Sequence, residues 1–301
     1  MPRLPPVLAV VGPTAAGKSD LAVGLARRLG GEVVNADAMQ LYRGMDIGTA
    51  KLTTAQRRGV PHRLLDVLDV TQQATVAEFQ QRARAAVESC RARAVVPVLV
   101  GGSALYVRAV LDRFEFPGTD PAVRGRLEDE LAVVGAPALH ERLSTVDPAA
   151  AAAILPTNGR RVVRALEVVE LTGRPFSATL PIREYAYDAV VQIGLDVPRD
   201  LLDQRIEARV GRMWHAGFVD EVRRLEPRLR QGRTAAQALG YAQVLAFLAG
   251  EYSEQEARER TIRATRRFAR RQYSWFRKDP RIEWLPFDAP DLVVLALARS
   301  R

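Results

Sequence analysis

Residues 7–29 read VLAVVGPTAAGKSDLAVGLARRL, and the stretch GPTAAGKS (Gly12 to Ser19) decides how the rest is read. Its spacing is G-x-x-x-x-G-K-[ST], with an apolar run of strand length before it and leucines at helical spacing after it (Leu21, Leu25, Leu29). A strand that turns through such a loop into a helix makes an anion cradle from Gly12, Pro13, Thr14, Ala15, Ala16, Gly17, Lys18 and Ser19. The glycines permit the φ values that turn backbone N–H groups inward, Lys18 adds a point charge, and the Ser19 hydroxyl suits Mg²⁺. The loop identifies a phosphate ligand and leaves the reaction open, because nucleotide hydrolases and small-molecule kinases both carry it.

Nucleotide-hydrolysing proteins with this loop usually end a second apolar strand in Asp, which positions Mg²⁺. The natural candidate here, VVPVLVGGS (95–103), ends in Gly-Gly-Ser. An acid ends the strand-like run EVVNAD instead, at Asp37, where it serves either as a displaced metal ligand or as a base facing the phosphate site.

Outward from the loop, strand-length apolar runs at 7–12, 32–37, 94–102, 189–197 and 282–287 alternate with helical patterns at 19–29, 75–93, 201–216, 219–229 and 254–278. Alternation of this kind, without polar residues interleaved in the strands, predicts an α/β fold. The expected core is a parallel sheet of P-loop NTPase-like type with helices on both faces. Its ligand site should lie at the carboxyl ends of the strands. Near Phe116-Pro117-Gly118 the pattern changes, and from Asp120 to about Thr172 only helical signals appear, broken by Gly135-Ala136-Pro137, Asp147-Pro148 and Pro156-Thr157-Asn158-Gly159. Segment 116–186 is therefore predicted as a helical insertion domain in a core built from 1–115 and 187–301.

The chain has 301 residues, one cysteine (Cys90) and a formal net charge of +9. One cysteine excludes a disulfide framework and fits a reducing cytoplasm. No apolar run reaches the roughly 18 residues of a membrane span. The positive charge favours a polyanionic partner, yet 41 arginines against three lysines (Lys18, Lys51, Lys278) mean that isolated arginines carry little weight. The last long helix stands above that background. Arg263, Arg266, Arg267, Arg270 and Arg271 fall at i, i+3, i+4, i+7 and i+8, with Ile262, Ala269 and Phe276 turned away. Phosphate contact is expected of this stripe. Tyr273, Trp275 and Phe276, at helical spacing, are read as core, and His62 and His140, which fall at no metal-ligand spacing, as structural.

A second motif, NADAMQLYRGMDIGTAK (35–51), joins the loop. Taken in order, GPTAAGKS, this segment, PHRLLD (61–66) and LVGGSALY (99–106) resemble the tRNA dimethylallyltransferases. The likeness continues through NGRRVVRALEVVELTGRP (158–175), MWHAGFVDEV (213–222), ALGYAQ (238–243) and ATRRFARRQYSWFRK (264–278), nearly the whole chain. The resemblance implies transfer of a dimethylallyl group from its diphosphate to N6 of the adenosine next to the anticodon of tRNA, with Mg²⁺. It implies Asp37 as general base with Thr14 as its hydrogen-bonding partner. It further implies tRNA contacts from Asp37, Ala38, Met39, Gln40, Ser103, Arg124, Arg160, Arg161 and Arg164. The expected partners are the tRNA anticodon stem-loop and dimethylallyl diphosphate, with no membrane, in a cytoplasmic monomer. Two positions depart from the family pattern: Ala38 replaces its serine, and Ala242 its commoner basic residue. A prenyltransferase of free adenine nucleotides, a small-molecule kinase and a nonenzymatic RNA-binding protein are the competing readings.

Overall fold

The computed structural model describes residues 4–114, 116–179 and 183–299. The chain divides into two compact units, Met1–Leu111 with Tyr185–Arg301, and Asp112–Glu184.

The first unit is built on six parallel strands: β1 (Val7–Val11), β2 (Glu32–Asn35), β3 (His62–Arg63), β4 (Pro97–Gly101), β5 (Val190–Asp196) and β6 (Ile282–Pro286). They lie in the order β3-β2-β4-β1-β5-β6. In register, Leu8 faces Val98 on one side of β1 and Val191 on the other. Side chains alternate faces along a strand, so the unbroken apolar run of β1 feeds two cores. Val7, Ala9 and Val11 enter one, while Leu8 and Val10 enter the other.

Helices cover both faces. In chain order these are α1 (Lys18–Leu29), α2 (Val76–Ala92) and α3 (Ala104–Leu111), then α4 (Pro121–Val146), α5 (Pro148–Ala153) and α6 (Gly159–Thr172) of the second unit. The first unit resumes with α7 (Arg199–His215), α8 (Phe218–Leu229), α9 (Tyr241–Leu248), α10 (Glu254–Phe276) and α11 (Leu292–Arg299). The core on one face takes Phe79 and Val87 of α2, Val107 of α3, Phe218 of α8 and Tyr241 of α9. The other takes Leu21 and Leu25 of α1, Ile206 of α7 and Ala296 of α11.

The second unit is helical throughout its named elements, and its punctuation does what such residues dictate. Gly135 (φ 80°, ψ 163°) breaks α4 two residues before Pro137. Asp147 caps α5 by accepting from Ala150 N (3.0 Å), with Pro148 in the first turn, and Asn158 caps α6. Leu127, Leu139, Leu143, Val162 and Leu166 fill the core. Among the described residues no helix is long and apolar enough to cross a membrane.

Candidate active site

The loop between β1 and α1 forms the floor of the site. Gly17 caps α1 at φ 103°, in the left-handed region where a side chain is strained, and its neighbour Lys18 opens the helix. Lys18 Nζ folds back over the loop and donates to Pro13 O (2.6 Å). Burial pushes its pKa down from 10.5 to about 7, the Arg209 guanidinium adds to that fall, and Asp37 opposes it. A bound anion would offset that burial and favour the charged ammonium.

Asp37 stands just past the end of β2. The buried Asn35 side chain sets its backbone, accepting from Asp37 N (3.0 Å) and donating to Asp37 O (3.0 Å) and Leu64 O (3.1 Å). One carboxylate oxygen, Oδ1, accepts from Met39 N (2.9 Å), which leaves Oδ2 for other use. Asp37 does not end the strand beside the loop, because β4 lies between β2 and β1. Two strand spacings, about 9–10 Å, therefore separate the backbones that carry Asp37 and the phosphate loop, room for a ligand between them.

Above these strand ends opens a cavity of about 720 Å³. Thr14, Ala15, Gly17, Lys18 and Ser19 line one side, and Asn35, Asp37, Gln40, Asp46, Ile47 and Lys51 another. Arg205, Arg209 and Arg212 of α7 close over the loop at i, i+4 and i+7, with Gln272 of α10 beside them. Arg205 Nε donates to Ala15 O (2.8 Å) and Arg209 to Thr14 Oγ1 (3.3 Å). Burial lowers the Arg209 pKa, which marks a desolvated cation facing the same volume as Lys18. Apolar surface comes from Ile47, Leu52, Ala208, Met213 and Phe268. The arrangement can hold a phosphorylated group with an apolar tail.

The loop that walls the cavity opposite α7 is tied down by two buried charges. Glu221 of α8, 3% exposed, accepts from the N–H groups of Asp46 (3.0 Å), Ile47 (2.7 Å) and Gly48 (3.2 Å), and from Tyr241 OH (2.5 Å). Lys51 donates to Tyr42 O (3.0 Å) and pairs with Asp46 and Asp66 at 2.6 Å each. The segments that carry GMDIGTAK, PHRLLD, DEV and GYAQ thus form one polar network.

A family model described as IPP transferase matches residues 40–279. The chain belongs to that family. It is 66% identical over 298 residues to a tRNA dimethylallyltransferase of Thermobifida fusca, covering 97% of this chain and 93% of the relative. A crystal structure of the tRNA isopentenylpyrophosphate transferase from Bacillus halodurans is 40% identical with a TM-score of 0.70, covering 97% of this chain and 93% of that one. A eukaryotic dimethylallyltransferase, solved acting on tRNA, is 26% identical with a TM-score of 0.83, covering 93% of this chain and 73% of that one.

As an IPP transferase the chain can be read residue by residue. Gly12, Pro13 and Ala16 are buried supports of the loop, while Thr14, Ala15, Gly17, Lys18 and Ser19 reach the cavity. Gln40 lines it too, with Nε2 donating to Thr49 O (3.1 Å) and its amide oxygen left over. Ala38 and Met39 pack partly against the core, and Ser103 is half-buried just before α3. The four arginines of the second unit that are expected at tRNA divide. Arg124 and Arg164 both pair with the fully buried Glu167, and Arg164 also donates to Pro117 O (2.7 Å) and Gly118 O (3.1 Å). Arg160 and Arg161 are exposed on the first turn of α6.

The α10 stripe divides as well. Arg266 pairs with Glu207 (2.6 Å) and Arg270 with Asp203 (3.1 Å), both on α7, and Arg263 with Glu259 (3.5 Å). Arg267 and Arg271 are exposed and, among the described residues, pair with no carboxylate. Trp275 departs from its expected core placement. It is 58% exposed, with Lys278 Nζ 5.3 Å from its ring, and continues the Arg267-Arg271 face at i+4. Phe276 is buried and Tyr273 half-buried against Trp284. His140 Nε2 faces the carbonyls of Ala151 (3.0 Å) and Ile154 (2.9 Å), and His62 Nδ1 that of Val60 (2.9 Å). Cys90 is buried, its thiol pushed up to about 11 by burial and by Glu32.

Arg205, Arg209 and Gln272 are absent from the expected set. Arginine abundance hid the first two, and nothing local marks the third.

Proposed function

We propose that this protein transfers a dimethylallyl group from dimethylallyl diphosphate to N6 of the adenosine next to the anticodon of tRNA, giving N6-dimethylallyladenosine and diphosphate. The observation that carries the reading is the pairing of a cationic diphosphate cradle with a carboxylate two strands away, on a chain of the IPP transferase family. In the reaction the C1–O bond of the allylic diphosphate breaks and its electron pair leaves with the diphosphate. A C1–N6 bond forms, and the proton lost by N6 passes to Asp37.

An exocyclic adenine amine is a weak nucleophile, so stabilising the leaving group supplies much of the acceleration. The loop N–H groups, Lys18 and the guanidinium of Arg209 are the chain's own means of doing so. The residues also fit Mg²⁺. Among the described residues no group of three His, Cys, Asp or Glu stands ready to hold a metal. A hard ion that keeps its waters, however, needs only one or two protein oxygens besides phosphate, and Ser19 offers one. When bound, Mg²⁺ neutralises charge on the departing diphosphate. Gln40 suits the edge of a flipped adenine, since an amide pairs with that base through two hydrogen bonds. Arg267, Arg271, Trp275 and Lys278 supply phosphate contacts and a stacking surface for the RNA, and Arg160 and Arg161 a second basic patch.

Single-turnover transfer to an anticodon stem-loop tests this. Asp37→Asn should slow transfer by about 10²–10⁴ while RNA affinity holds within a few-fold, the usual worth of a general base. Transfer at an unchanged rate would remove Asp37 from the mechanism. Comparing stem-loop with AMP as acceptor separates tRNA prenylation from prenylation of free nucleotides.

A further inference from the structure

Gln272 lies on α10, 7% exposed, with its amide aimed into the strand ends. Its Oε1 accepts from Thr14 N (2.8 Å) in the phosphate loop, and its Nε2 donates to Gly102 O (2.7 Å) beyond β4. Gly102 must be glycine for this, because a Cβ there would collide with Gln272 Nε2. From β4 the link continues to the base, since Ala36 N donates to Val100 O (2.8 Å) immediately before Asp37. A nucleotide hydrolase places a metal-binding acid after this strand. Here the position is a bare carbonyl held by a neutral amide.

We propose that Gln272 is a positioning residue that sets the spacing between the diphosphate cradle and the general base. Its two hydrogen bonds are the one side-chain bridge, among those the described residues make, from the phosphate loop to the end of β4. They also hang both from the helix whose exposed face carries Arg267 and Arg271. An amide suits the task and a carboxylate does not: one partner needs an acceptor, the other a donor, and a negative charge would repel the diphosphate. A misplacement of about 1 Å between reacting groups can cost about 10²-fold in rate.

The inference rests on the prenyl-transfer reading, so two readouts are taken on the purified full-length chain: single-turnover dimethylallyl transfer to the stem-loop, and calorimetric binding of inorganic diphosphate, which needs no acceptor. Gln272→Met should lose about 10²-fold in transfer rate, with the KM for RNA within about threefold, and bind diphosphate about tenfold more weakly. Gln272→Glu should be as impaired near pH 8. Its deficit relative to the unsubstituted protein should shrink by about tenfold or more as the pH falls toward about 5.5, because a protonated carboxyl again donates and accepts. A purely structural contribution would lower the denaturation midpoint and the folded fraction in step with the rate, so rates are compared per folded protein, where only positioning leaves a deficit. A Glu-to-wild-type ratio that stays flat with pH in both readouts, or a folded Gln272→Met protein within about threefold of normal, overturns the assignment. If Gln272→Met fails to fold, the pH ratio of Gln272→Glu decides. If the unsubstituted protein prenylates no RNA, the prenyl-transfer reading fails, and the diphosphate arm still decides Gln272.

Discussion

Lys18 is one of three lysines in a chain of 41 arginines, and its environment gives the retained ammonium a measurable signature. Its pKa is lowered from 10.5 to about 7 by burial first, then by Arg209. Between those two values the folded state favours the neutral amine, so this group adds stability as pH rises through the window and opposes folding below it. Anion binding has the opposite sign, because diphosphate requires the ammonium. Affinity for dimethylallyl diphosphate should fall by up to about tenfold per pH unit above 7, with proton uptake on binding seen by calorimetry in buffers of different ionisation heat. Lys18→Met should flatten that dependence and, as a control, report the ligand's own titration. The cradle residues were legible because the loop's chemistry is local in sequence. Gln272 was not, since its partners Thr14 and Gly102 stand 258 and 170 residues away. Arg209 carried no signal against the arginine background, and only the fold brings it to Thr14.

At the scale of elements, α10 shows why a charge pattern underdetermines a surface. The five arginines of the stripe look equivalent in sequence, yet the carboxylates of α7 neutralise two of them. RNA affinity should therefore depend unequally on the helix. Replacing Arg267 and Arg271 together by alanine should reduce the slope of log affinity against log salt by about 2, one per phosphate contact. Replacing Arg266 and Arg270 should change it by less, because each already has a partner. Filter binding over a salt series distinguishes the two, and equal slopes for both pairs would mean that α7 does not shield its partners. The long strands and helices were legible from periodicity. The helices α3 and α9, eight residues each, and the two-residue strand β3 were not, because so few residues barely define a period. Trp275 escaped for a related reason: helical spacing tells which residues share a face, and not which face meets solvent.

At the scale of the whole molecule, the chain forms two compact units, and the second hangs on a buried charge that no spacing announces. Burial pushes the Glu167 carboxyl up, but hydrogen bonds from Arg124, Thr119 and Arg164 outweigh it and hold the pKa down to about 2. Glu167→Ala should destabilise this unit by about 1–3 kcal/mol, because it removes a fully buried carboxylate and leaves two half-buried guanidinium groups without their partner, measured by denaturant titration. The folded pKa lies below the ordinary 4.5, so the stabilisation is present above pH 4.5 and lost as pH falls toward 2; Glu167→Gln should lose that acid sensitivity. The α/β class followed from alternating runs of sequence, whereas the order of strands, with β4 between base and cradle, depends on pairing that no local pattern encodes. On the prenyl-transfer reading the phosphate loop holds what leaves, not what moves, and that order leaves room for the reacting centre beside it. The most direct test is mass spectrometry of tRNA nucleosides after incubation with dimethylallyl diphosphate and Mg²⁺, with released diphosphate quantified alongside. The account predicts N6-dimethylallyladenosine and diphosphate in equal amounts, with no nucleoside triphosphate consumed. Unmodified tRNA, or turnover that requires ATP hydrolysis, would contradict it.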